Sequence, residues 1–185
     1  MKFGSKKGQA VMEYLITYGL ALFVILVVLG ILVAVVIPAL KPPEECQFTQ
    51  PGFSCNQRQH VIVSSTADDS VRVILYLTND QGSAVNVTGI LCTTKPAGNI
   101  QKADITSFTA ANAKLLASGA GQVFGNGTLV SQQVLCTNDA GTVVTLKPNS
   151  NFKGTVAILY KRTDDVQGAP TRMATAVLTG TVQEE

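Results

Sequence analysis

The sequence predicts an α+β protein: a long apolar N-terminal helix followed by an antiparallel β-sandwich head. Three observations carry that reading. From Tyr14 to Leu40 the chain contains no Asp, Glu, Lys, Arg, His, Asn or Gln. Beyond Cys46 it changes to short β-like runs separated by turn residues. All four cysteines fall in that second part.

The apolar run comes first. It exceeds the roughly 20 residues a helix needs to cross a bilayer, and a helix over Gln9 to Ile37 would be a rod of about 40 Å. Pro38 and the pair Pro42-Pro43 stop it, so residues 41–45, ending in Glu44-Glu45, read as a linker. The formal charge of +2 belongs to the start of the chain. Removing Lys2, Lys6 and Lys7 from the 14 basic residues leaves 11 against 12 acidic ones, a net of −1 from Gln9 onward. Lysines ahead of an apolar helix fit the rule that basic flanks stay on the cytoplasmic side. They do not indicate a nucleic-acid surface.

One carboxylate, Glu13, stands at the mouth of this helix in the stretch KKGQAVMEYLITYG. A conventional secretory signal has an apolar core of roughly 7–15 residues and a small-residue cleavage site after it; the run here is about twice that long, with no convincing A-x-A site. A plain membrane anchor fits the length and the lysines but gives Glu13 no task. The stretch resembles the class III signal peptide of archaeal type IV pilins. In that family a short basic leader ends in Gly, cleavage precedes the apolar helix, and Glu is fifth in the mature chain.

That resemblance covers about the first 40 residues. It implies a leader over residues 1–8, cleavage between Gly8 and Gln9, and a helix over residues 9–40 that is a membrane anchor before assembly and the filament core after it. It implies that Glu13 pairs with the free α-amino group of an adjacent subunit and so marks register between subunits, since a carboxylate in apolar packing is costly unless paired. The implied partners are identical subunits in a helical filament, a prepilin peptidase, an assembly ATPase and a membrane platform protein. Tyr14 and Tyr18, one helical turn apart, and Gly19 and Gly30 read either as inter-subunit contacts or as interfacial tyrosines and ordinary helix packing.

The head, residues 46–185, shows strand-like runs at QHVIVSS from Gln59, VRVILYLT from Val71, SAVNVTGILCT from Ser83 and LVSQQVLC from Leu129. TVVTLK from Thr142, KGTVAILYKR from Lys153 and RMATAVLTGTV from Arg172 follow. They are rich in Val, Ile, Thr and Tyr and bounded by turn signals such as NDQG, NDAG and DDVQG. So many short strands suggest a sandwich, here of immunoglobulin-like type. AANAKLLA reads as a short helix or a loop. No family motif marks this part.

Cysteines downstream of a membrane helix would lie outside the cell, where disulfides persist. Of the three connectivities, Cys46–Cys55 closes a small loop around Pro51-Gly52, and Cys92–Cys136 then clamps two strands. A zinc site has no C-x-x-C pair and no His near a Cys to support it. Asn86-Val-Thr and Asn126-Gly-Thr are glycosylation sequons, although a Thr-rich chain generates such triplets by chance.

Nothing points to catalysis. His60 is the only histidine and sits in a strand-like run; there is no phosphate loop, nucleophile motif or metal-ligand cluster. The pairs Asp68-Asp69, Asp164-Asp165 and Glu184-Glu185 read as solvated loops or termini, without a calcium-loop signature. No cofactor is expected. The expected function is that of a structural subunit of an adhesion-type pilus on the cell surface. The alternatives are a membrane-anchored binding module, such as a minor pilin or a solute-binding protein, and an archaellin-like subunit, which would lack the MEYLITYG run.

Overall fold

The structure, a computed structural model, describes residues 6–39, 43–55, 60–108, 113–127 and 132–185. It divides into two compact units, residues 1–41 and 42–185. The first is a single helix, α1, over Lys6–Ala39. Its leucines and alanines favour a helix, and an apolar segment satisfies its own backbone groups best in that form. Pro38, in the last described turn, lacks an N–H to donate to that turn.

Among the described residues the second unit is built mainly of strands, with 3-10 turns at Ala97–Asn99 and Lys102–Asp104. The short strands are β1 Glu45–Phe48, β2 Phe53–Ser54, β3 His60–Ser64, β6 Lys114–Leu116, β7 Gly121–Phe124 and β8 Val134–Thr137. The long ones are β4 Val71–Asn79, β5 Val85–Thr93, β9 Asn151–Arg162 and β10 Arg172–Glu184. Pairing runs β10-β3-β4-β8-β5-β9 and back to β10, a closed ring of six strands. The immunoglobulin-like sandwich expected from the sequence is therefore corrected to a barrel with extra strands.

Strand length explains the closure. One edge of β10 pairs first with β1, at Ala176–Thr179, and then with β3, at Val182–Glu184. One edge of β5 pairs with β6 at Val85–Val87 and with β8 at Cys92–Thr93. A strand that changes partner part-way turns a corner between two sheets. Two such corners join the edges that a sandwich leaves open. Both corner pairings, β10–β3 and β5–β8, are parallel, so the head is not wholly antiparallel.

Alternation supplies the core. Val71, Val73, Leu75 and Leu77 of β4, Val85 and Val87 of β5, and Leu178 and Val182 of β10 are fully buried inside the ring. On β9 the alternation fails, because both faces are covered. Ile100 and Ile105, from the segment carrying the 3-10 turns, pack on Ala157 and Leu159 from outside. Each such isoleucine contributes about 1.5–3 kcal/mol by burial. Gly89, at a register shift in β5, makes room for this segment: a Cβ there would lie 2.9 Å from the Thr106 carbonyl oxygen.

Other details differ from the sequence reading. TVVTLK forms only isolated bridges, Thr137–Val143 and Ser70–Thr145, because Asn138 Oδ1 accepts the N–H of both Ala140 and Thr142 and bends the chain there. AANAKLLA contributes β6, not a helix, over its last residues; Thr109 to Asn112 lie outside the described residues, as do Gln59 and Leu129–Ser131. Strands β1, β2 and β7 were not expected, and β1 begins at Glu45, inside the span read as linker.

Gly125, just after β7, has φ +84° and no room for a side chain: a Cβ would overlap the Val73 carbonyl oxygen. Gly125→Ala should cost about 2 kcal/mol or more, combining left-handed strain with that clash. A fall in the denaturation midpoint of the head, with both disulfides intact, is the check.

Candidate functional site

Two regions hold the residues singled out by sequence, α1 and the seams of the head. In α1 every side chain from Val11 to Val36 is exposed, and Glu13 is the only charge among them. At about 1.5 Å per residue these 26 residues span roughly 39 Å, enough for the ~30 Å hydrocarbon core of a membrane. Thr17 donates its hydroxyl to the Glu13 carbonyl oxygen at 2.6 Å and to that of Tyr14 at 3.1 Å, so its polarity is absorbed by its own helix. The Tyr14 and Tyr18 rings stack with centroids 5.1 Å apart. Gly8 and Gln9 lie in the backbone of the first turns; residues 1–5 of the expected leader are outside the described residues.

The cysteines pair as Cys46–Cys55 and Cys92–Cys136, with Cα separations of 5.6 and 4.4 Å. Each bond sits at a seam. Cys46 is on β1, bonded to β10, and Cys55 directly follows β2, bonded to β4; the disulfide ties the two walls where no ladder joins them. Cys92 and Cys136 are register partners on β5 and β8, where the ring closes through two residue pairs. Disulfides of this kind suit an oxidising, extracellular compartment.

The two sequon asparagines differ. Asn86 lies within β5 with strands on both sides, opposite Leu115 and Lys161, and is half-buried. Its sequon partner Thr88 donates its hydroxyl to the Leu159 carbonyl oxygen at 3.3 Å. Asn126 follows Gly125 outside the ladders and is exposed. Thr128 lies outside the described residues.

Several titratable groups of the head are engaged structurally. His60 is buried in β3, with Nε2 3.4 Å from the Thr179 carbonyl oxygen and a buried Nδ1 that has no partner among the described residues. The Ser70 hydroxyl and N–H hold the Asp68 carboxyl below its ordinary value. Arg162 does the same for Asp164, by hydrogen bonding first and charge second. Asp165 pairs with Arg172 at 2.6 Å, and Glu185 with Arg72. What these lowered carboxylates add to the fold is present at neutral pH and fades as pH falls through their lowered values. Among the described residues no group of three or more His, Cys, Asp or Glu could hold a metal ion.

Sequence reasoning missed Asn79, fully buried at the end of β4. Its Nδ2 donates to the carbonyls of Ser83, Leu116 and Ala117 at 2.9, 3.1 and 3.2 Å, and its Oδ1 accepts the Gln81 N–H at 3.0 Å. The triplet Asn-Asp-Gln at a turn signalled its capping habit but not its burial. No family model matches the chain, and no curated protein matches it.

Proposed function

We propose that the chain is a structural subunit of a cell-surface filament similar to an archaeal adhesion-type type IV pilus, polymerising through α1 with the barrel head outward. The observation that carries this reading is the stretch from Lys6 to Gly19, where basic residues, Gly8 and Gln9 lead into an exposed apolar span whose only charge is Glu13. A helix so apolar needs cover at every stage, lipid before assembly and other copies of itself afterwards. Leaving lipid gains little, because lipid is already apolar; an ATPase and a membrane platform would supply the drive. Cleavage before Gln9 creates the amine that Glu13 pairs with between subunits. Glycans at Asn86 and Asn126 belong to the same reading.

The test joins mass and form. Purified surface filaments should contain this chain starting at Gln9. Glu13→Ala should leave membrane insertion intact, since it removes a charge from an apolar region, yet reduce filament number at least tenfold, because axial position is no longer fixed. Normal filaments from Glu13→Ala cells would leave the carboxylate as an interfacial residue on an anchor.

A further inference from the structure

The outer faces of the barrel differ in chemistry. Val71, Val73, Leu75 and Leu77 point into the interior, so alternation turns Arg72, Ile74, Tyr76 and Thr78 outward. Register places Val61 beside Ile74, Val123 beside Tyr76, and both Val63 and Leu135 beside Arg72. The Tyr76 ring lies over Gly121, whose missing Cβ leaves it room. Among the described residues of these strands the one charge, on Arg72, is met by the Glu185 carboxylate. A sheet face turned to water is normally polar. This one is mostly Val, Ile, Leu and Tyr, half-buried among their neighbours, with Val63 buried.

The opposite side shows what the chain does with a face it covers itself. There Ile100 and Ile105 lie over Ala157 and Leu159, while Lys153 and Lys161, of the same alternation on β9, are exposed. Among the described residues β3, β4 and β7 carry no lysine, and an apolar surface patch marks a contact surface. The same chain carries the matching surface: α1 is apolar and exposed from Val11 to Val36, with Glu13 its only charge. Helix on sheet is a standard way to bury both.

We propose that the outer face of β3, β4 and β7 is where the apolar helix of a second copy docks. The inference rests on the filament reading and deepens it, assigning the head a defined side toward its neighbours. A charge on this face would then be buried against an apolar helix with no partner.

The test uses the full chain in its host. Ile74→Lys and, separately, Val123→Lys should reach the membrane at normal levels with both disulfides formed, yet give at least tenfold fewer filaments. Lys153→Glu, on the other side, should assemble normally. Should Ile74→Lys fail to fold, Val123→Lys on the shorter strand decides. A photo-crosslinking residue at position 76 should join the head to a peptide from α1 of another copy. Normal filaments from the lysine variants, or crosslinks only to another head, would overturn the proposal. If the unaltered chain forms no filaments at all, the filament reading falls and takes this one with it; if filaments form and only the face variants behave normally, the filament reading stands alone.

Discussion

Replacing Cys92 and Cys136 together by alanine lowers the stability of the head, residues 43–185, by about 4 kcal/mol, whereas the same change at Cys46 and Cys55 costs about 2.5 kcal/mol. The ranking follows from the loops closed, 44 residues against 9, because a longer loop removes more freedom from the unfolded chain. Fold position sharpens it. The β5–β8 corner has two residue pairs in register, and one of them is the cysteine pair itself. Both cysteines are fully buried, so truncation also leaves a small void in the core. Out of a total of roughly 5–15 kcal/mol for a domain, such a loss brings the head near its unfolding threshold. Urea midpoints of the two double variants provide the check; equal shifts, or a larger one for Cys46/Cys55, would contradict the argument.

Much of this was legible in the sequence, for physical reasons that differ by element. The helix needs only composition: an uncharged run of that length has few other forms. Strands β4, β5, β9 and β10 are long and β-branched, and their runs stood out. The disulfides were legible because Pro51 and Gly52 mark a tight loop between Cys46 and Cys55, which leaves the other two to each other. Closure of the ring was not legible. It depends on β10 and β5 changing partner along one edge, and a sequence carries the length of a strand but not which neighbour takes each half. Strand β2 is two residues long and β7 contains Gly121, so neither offers a periodic signal. VRVILYLT did announce the outward apolar face, since Ile74 and Tyr76 sit where alternation calls for polar residues; read only as a strand, the excess passes unnoticed. Asn79 was invisible for the opposite reason. A polar residue before a turn is ordinary, and only the barrel shows that this one is sealed inside.

That sealing makes Asn79 a costly position to change. Two amide protons are shared among three carbonyls, from the turn after β4 and from the link between β6 and β7. The backbone adds to the same knot, Asn79 N–H to the Ala120 carbonyl at 2.9 Å and Gly119 N–H to the Asn79 carbonyl at 2.7 Å. Asn79→Leu keeps the volume but strips donors from the three carbonyls and an acceptor from the Gln81 N–H. Unmet buried groups cost about 1–3 kcal/mol each, so a loss of roughly 3–5 kcal/mol is expected. Asn79→Asp is worse at neutral pH, for a carboxylate would face three carbonyl oxygens without solvent. Burial and those oxygens both favour its protonated form, which raises its folded-state pKa above the unfolded one. The penalty therefore shrinks as pH falls, the reverse of the unaltered head, whose lowered carboxylates at Asp68, Asp104 and Asp164 lose their contribution on acidification. Denaturant midpoints at pH 7 and pH 4 separate the cases. If the deficit of Asn79→Asp relative to the unaltered head is the same at both, or larger at pH 4, the side chain is not sealed against those carbonyls and the two turns are held by something else.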